Sequence, residues 1–173
     1  MSRLMLCGVL SSLLLVGGQV LAQGTNGDTT AVCNFDATRQ IAVEYQRASF
    51  DVRKRIFGKE IPYDRVWAPG GKPMTLFTNT PLSIDGTSLP AGAYTLFVIQ
   101  DQKKWTLVVS KSSDTSGKYD EKDDLGRFPM EFGELSSAEP DFSVSFGHIA
   151  PDQCSMRIDL GRARAWVTIR ESK

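Results

Sequence analysis

The sequence predicts an all-β fold: a single antiparallel β-sandwich, jelly-roll-like, of about eight or nine short strands, with a closed barrel as the competing architecture. Three observations carry this reading. Segment after segment alternates apolar and polar residues with period two, turn residues punctuate the chain at short intervals, and no stretch beyond ten residues holds a helical period.

Taken in order, residues 1–22, MSRLMLCGVLSSLLLVGGQVLA, have the form of a signal peptide. Arg3 supplies the charged start, Leu4 to Val16 the apolar run, and Val20-Leu21-Ala22 the small-residue cleavage site. Gly17-Gly18-Gln19 interrupts the run before it reaches membrane-spanning length. Removing these residues leaves 151, enough for one domain with a sizeable core. Residues 23–37 are small and polar and read as a flexible amino terminus, followed by a β-sandwich domain over 38–171.

RQIAVEYQ sets Ile41, Val43 and Tyr45 on one strand face. PMTLFTNTPLSI and AYTLFVIQ are apolar on both faces, as in strands covered on each side. KWTLVVSK follows as the hairpin partner of AYTLFVIQ. FPMEFGE alternates around Phe128, Met130 and Phe132, and its Pro129 predicts an edge position. DFSVSFGHI and CSMRIDL continue the alternation, and Gly161-Arg162 reads as the tight turn before the closing strand ARAWVTIR. SFDVRKRIF and KSSDTSGKYDEKDDLGR read as solvated loops.

Cys33 and Cys154 are the cysteines left after processing, and in an oxidising compartment they are expected to pair. The mature chain carries 19 basic and 20 acidic residues, which gives no electrostatic case for nucleic acid or anionic membrane.

Chemistry is sparse. His148 is the only histidine, it lies in phase with Phe142, Val144 and Phe146, and neither a G-x-S-x-G elbow nor a cysteine-protease motif accompanies it. One His and two distant Cys do not make a zinc set. Asp120, Glu121, Asp123 and Asp124 are dense enough for calcium, but the alternation of an EF-hand loop is missing. Glu131, Glu134, Glu139 and Asp141 are carboxylates able in principle to act in pairs. Gly70-Gly71-Lys72 lacks the Walker spacing and precedes a strand, so it reads as a bend and not a phosphate loop.

YQRASFDVRKRIFG, IPYDRVWAPGGKPMT, LPAGAYTLFVI, WTLVVSK and YDEKDD, in that order, resemble the exported bacterial family catalogued as domain of unknown function 2911, over roughly residues 38–170. The resemblance implies an exported, mostly β domain without established activity. Against the family pattern, Ala68 stands where members carry Arg and Lys72 where they carry Asn. A family Asn-Lys pair becomes Ser110-Lys111, and a family Trp becomes Leu160.

The leading functional expectation is a non-catalytic envelope module, periplasmic or extracellular, that binds a small molecule, a glycan or an envelope protein. Its candidate site joins the aromatic and basic residues Tyr45, Arg47, Tyr63, Arg65, Trp67 and Lys72. No cofactor, metal, nucleic acid or membrane span of the mature chain is implied. The alternatives are a carboxylate-dependent hydrolase of envelope glycans or esters, using Glu131 or Asp120, and a structural module of an envelope assembly.

Overall fold

The structure, a computed structural model, describes residues 27–102, 104–112, 116 and 118–172; the expected signal peptide lies outside them. Ten strands follow in chain order: β1 (Asp28–Asn34), β2 (Gln40–Gln46), β3 (Val66–Trp67), β4 (Met74–Thr78), β5 (Leu82–Ile84), β6 (Thr87–Leu89), β7 (Gly92–Gln100), β8 (Trp105–Ser110), β9 (Asp124–Ala150) and β10 (Gln153–Glu171). They form one antiparallel sheet in the order β1-β2-β4-β7-β8-β9-β10-β5-β6, with β3 added on β7. The ends of that order, β1 and β6, do not pair, so the sheet is not a closed barrel.

It folds over along β9. The start of β9 pairs with β8 through Trp105↔Met130, whereas its later residues pair with β10 from Trp166↔Glu131 to Gln153↔Ala150. Ile41, Val43, Leu76, Leu96 and Leu107 from one half meet Ile84, Met156, Ile158, Ala165 and Ile169 from the other in a single buried cluster. A disulfide joins Cys33 on β1 to Cys154 on β10, with Cα atoms 6.5 Å apart. The carboxyl end is fastened as well: buried Glu171 accepts a hydrogen bond from Thr80 Oγ1 at 2.8 Å and an ion pair from Arg39 Nη1 at 2.8 Å.

Several expectations are corrected. Residues 28–34, expected within a flexible lead, form β1, because seven residues pair in register with β2 and the disulfide anchors the strand. FPMEFGE and DFSVSFGHI are parts of one 27-residue strand. Gly161 does not reverse the chain: at φ +58° it marks register shifts within β10, and a glycine tolerates that left-handed bulge at low cost. PMTLFTNTPLSI is two strands in opposite halves, and Phe77 of β4 is 40% exposed, so that strand is covered on one face only.

AYTLFVIQ is covered on both faces as predicted. Phe97, on the face away from the core, is capped edge-on by Tyr119 of the loop before β9, ring centroids 5.2 Å apart. Pro129 lies in an interior strand, yet the pairing with β10 ends at Glu131, so at Pro129 only β8 is a neighbour.

The bend VWAPGGKPMT also has a clear role. β3 pairs with β7 at Val98–Ile99, and β4 pairs with the same strand at Gly92–Leu96. The turn Pro69–Gly71 is therefore an excursion between two segments running along one strand. Gly70 has φ +76°, and a Cβ there would lie 2.5 Å from the Gln46 carbonyl oxygen, so glycine is needed both for the dihedral and for the close approach.

Candidate functional site

The connection from β2 to β3 shapes one wall of a cleft that also takes in Gln100 and Trp105 of β7 and β8. It first docks on β9, where the Phe142 N–H donates to the Ala48 carbonyl and the Phe50 N–H to the Pro140 carbonyl, both at 2.8 Å. It then turns tightly: the Ile56 carbonyl accepts from the Glu60 N–H at 2.9 Å and the Ile61 N–H at 3.0 Å, and the Gly58 N–H donates to the Ile61 carbonyl at 2.7 Å. Gly58 sits at φ +78°, and a Cβ on it would fall 2.4 Å from Cε2 of Tyr63. The Tyr63 ring thus occupies the space a side chain at position 58 would need.

Gln100, the last residue of β7, clamps this turn to the sheet. Its side chain is buried, and Nε2 donates to the Ile61 carbonyl at 3.0 Å and the Pro62 carbonyl at 3.1 Å. Its own backbone carbonyl accepts from the Asp64 N–H at 3.0 Å. The side-chain oxygen Oε1 is buried without a partner among the described residues.

Between turn and sheet lies a cleft of about 230 Å³, lined by Phe57, Tyr63, Trp105 and Phe132 together with Gln100, Asp101, Gln102, Glu134, Arg162 and Ala163. Phe57 and Trp105 meet edge to face at 5.6 Å, and Trp105 and Phe132 lie tilted at 6.5 Å, so the rings brace one another as a rigid wall. Arg162 Nη1 donates to the Ser136 carbonyl at 3.0 Å, which orients its guanidinium at the rim. Rigid apolar walls with a few convergent polar groups are the usual composition of a small-molecule site.

The six residues singled out from the sequence do not share this cleft. Tyr63 lines it. Tyr45 is buried and Trp67 half-buried, and both pack edge-on against Phe142 at 5.7 Å, as core plugs. Tyr45 and Lys72 border a separate polar depression of about 190 Å³ beside Asp28 and Glu44. Arg47 and Arg65 are exposed. Missing from the sequence reading were Phe57, Gln100, Trp105, Phe132 and Arg162; Gln100 had a signal, as a polar residue in the buried phase of an otherwise apolar strand.

His148 is exposed near the end of β9. Glu131 is exposed and faces Trp166 across the β9–β10 ladder. Asp120 accepts from the Lys122 N–H at 3.0 Å as the cap of the short 3-10 turn Glu121–Asp123. Its neighbours are engaged with cations: Asp123 with Lys111, and both Glu121 and Asp124 with Arg127. Tyr119 donates to Asp124 Oδ2 at 2.6 Å. Its hydroxyl is pushed up to about 12, first by burial and then by that bond, both of which disfavour the phenolate. Among the described residues no three His, Cys, Asp or Glu side chains are grouped as a metal site would require, and no helix is long and apolar enough to cross a membrane.

No curated protein and no solved structure matches the chain. A family model described as protein of unknown function (DUF2911) matches residues 28–169, from the first residue of β1 almost to the end of β10, and the chain belongs to that family.

Proposed function

We propose that this member of the DUF2911 family is an exported, non-catalytic module of the cell envelope that binds a small ligand in the cleft between the 56–63 turn and the β7–β8 end of the sandwich. The observation that carries the reading is the convergence of four aromatic rings with Gln100, Asp101, Glu134 and Arg162 around one cavity of about 230 Å³. The disulfide across the two halves supports export, since such bridges persist in oxidising compartments. The apolar, signal-like first 22 residues support it too.

The test is the ¹H–¹⁵N spectrum of the mature protein, titrated with a chemically broad fragment panel. Signals of Phe57, Tyr63 and Phe132 are expected to move together, and Phe57→Ala to weaken the binding by on the order of tenfold, as losing one aromatic wall of a small site does. A spectrum indifferent at the cleft to the whole panel refutes the reading.

One observation favours a second reading, a hydrolase: two carboxylates, Asp101 and Glu134, line the same cleft. Turnover of a chromogenic glycoside or ester that disappears in Asp101→Asn or Glu134→Gln, with binding retained, would establish it.

A further inference from the structure

We infer that the ligand of the cleft is zwitterionic, with its cationic end at Asp101 and Glu134 and its anionic end at Lys54 and Arg55, across the turn that carries Phe57 and Tyr63; this rests on the cleft being a binding site. A second depression, of about 310 Å³, adjoins the first, and Phe57, Tyr63 and Arg162 line both. Alone, the cleft of about 230 Å³ is smaller than the roughly 300–1,000 Å³ usual for a small-molecule site, whereas the two depressions together fall within that range. A ligand of ordinary size therefore lies across the shared wall.

The two depressions differ in charge. Apart from the shared Arg162, the charged residues lining the first are Asp101 and Glu134, and those lining the second are Lys54 and Arg55. Among the described residues no carboxylate lines the second. Potentials of opposite sign at the two ends favour a molecule whose own ends are oppositely charged, and they fix the direction in which it lies. Lys54 reaches Asp51 at 3.6 Å, but an exposed pair of this kind contributes little and leaves the ammonium open to a ligand.

The separation of the two ends is built into the fold. Phe57 and Tyr63 stand on the turn that Gln100 clamps through the Ile61 and Pro62 carbonyls. Arg55 Nε donates to the Phe57 carbonyl at 3.3 Å, which ties its guanidinium to the same turn. Gly161, the bulge residue of β10, lines the basic depression, and a Cβ on it would stand 3.5 Å from Ile56 Cδ1 and 3.8 Å from Phe57 Cε2. The missing side chain keeps the space against the turn open.

The test uses the intact mature protein and di-, tri- and tetra-alanine as zwitterionic probes, each with free ends, amino-acetylated or carboxy-amidated. At least one free peptide is expected to move the amide signals of Phe57 and Tyr63 together with those of Glu134 on one side and Arg55 on the other. Each cap removes one charge and should weaken binding by roughly three- to fivefold, as charge contacts at an exposed rim do, and about 0.5 M sodium chloride should erase most of both effects. Glu134→Gln should weaken the free peptide but not the acetylated one, and Arg55→Gln the free peptide but not the amidated one. If free peptides move the Phe57 and Tyr63 signals but capping either end leaves the affinity unchanged, the two-ended charge recognition is wrong while the binding site stands. If no peptide perturbs the cleft although uncharged fragments do, the zwitterionic class is wrong. If nothing perturbs it, the binding reading falls as well.

Discussion

Replacing Gly58 by Ala tests how the cleft is built. The residue sits at φ +78°, a left-handed conformation that costs an L-residue about 1–2 kcal/mol. A Cβ there would also stand 2.4 Å from Tyr63 Cε2, so the ring must leave its place. Overpacking of this kind costs a further 1–3 kcal/mol or so. In the wild-type background Gly58→Ala should therefore destabilise by roughly 2–5 kcal/mol, whereas in a Tyr63→Ala background only the dihedral cost of about 1–2 kcal/mol remains. Urea unfolding of the four proteins of the cycle, followed by tryptophan fluorescence, gives the coupling directly. A coupling of about 1–3 kcal/mol is expected between the two positions. If Gly58→Ala costs the same in both backgrounds, the Tyr63 ring is not what requires glycine, and this account of the turn fails.

Three further outcomes are expected. The disulfide closes a loop with a sequence separation of 121 residues; on the chain-entropy model the double substitution Cys33→Ala/Cys154→Ala should cost about 5 kcal/mol, a Tm fall of roughly 15 °C by calorimetry, and a fall under about 5 °C would show that strand pairing alone fixes β1. Thr80→Val removes the hydroxyl that donates to buried Glu171; a loss of about 1–3 kcal/mol in denaturant titrations is expected, and no change would mean that Arg39 alone satisfies the carboxylate. Tyr119 titrates higher in the folded state, at about 12, than its ordinary value of 10.0; the neutral form is the one the fold favours, so its contribution is complete below pH 10 and is lost as pH rises towards 12. The fall in unfolding free energy over that range should be smaller in Tyr119→Phe, which keeps the ring on Phe97; equal slopes would exclude Tyr119 as a source.

How much of this was legible depended on whether the signal was local. Period two placed Ile41, Val43 and Tyr45 in the core correctly, as it did Cys154, Met156, Ile158 and Leu160, because a strand with one buried face writes its register into consecutive residues. The disulfide was expected from the cysteine count and from the export that the first 22 residues suggest. What did not follow was how strands join. Gly161 has the composition of a turn, but whether a left-handed glycine reverses a chain or bulges a strand is decided by what pairs with it and its neighbours, here Glu139 of β9 with Gly161 and Glu134 with Ala163. The cleft was illegible for the same reason: Phe57 and Tyr63 come from an irregular connection, Trp105 from a hairpin, and Phe132 and Arg162 from the two long strands. Only the fold brings them together, and no spacing in the sequence records it.

The four positions at which the resemblance implies a departure from the family, Ala68, Lys72, Ser110 and Leu160, lie apart from the cleft. Ala68 and Lys72 flank the excursion between β3 and β4, and Lys72 borders the depression beside Asp28 and Glu44. Ser110 is buried at the far end of β8 from Trp105, and Leu160 is in the core. None of the four lines the cleft. By contrast the segments that carry the resemblance, RIFG and IPYDRVW, contain Phe57, Gly58, Ile61, Pro62 and Tyr63, which are the turn itself and the carbonyls that Gln100 holds. Phe57, Tyr63 and Trp105 of the cleft thus come from segments that carry the resemblance, and the four divergent positions stand elsewhere. A loss of binding caused by restoring Arg at position 68 and Asn at position 72 would contradict that separation. Unchanged affinity at the cleft in Ala68→Arg/Lys72→Asn is the outcome the geometry requires.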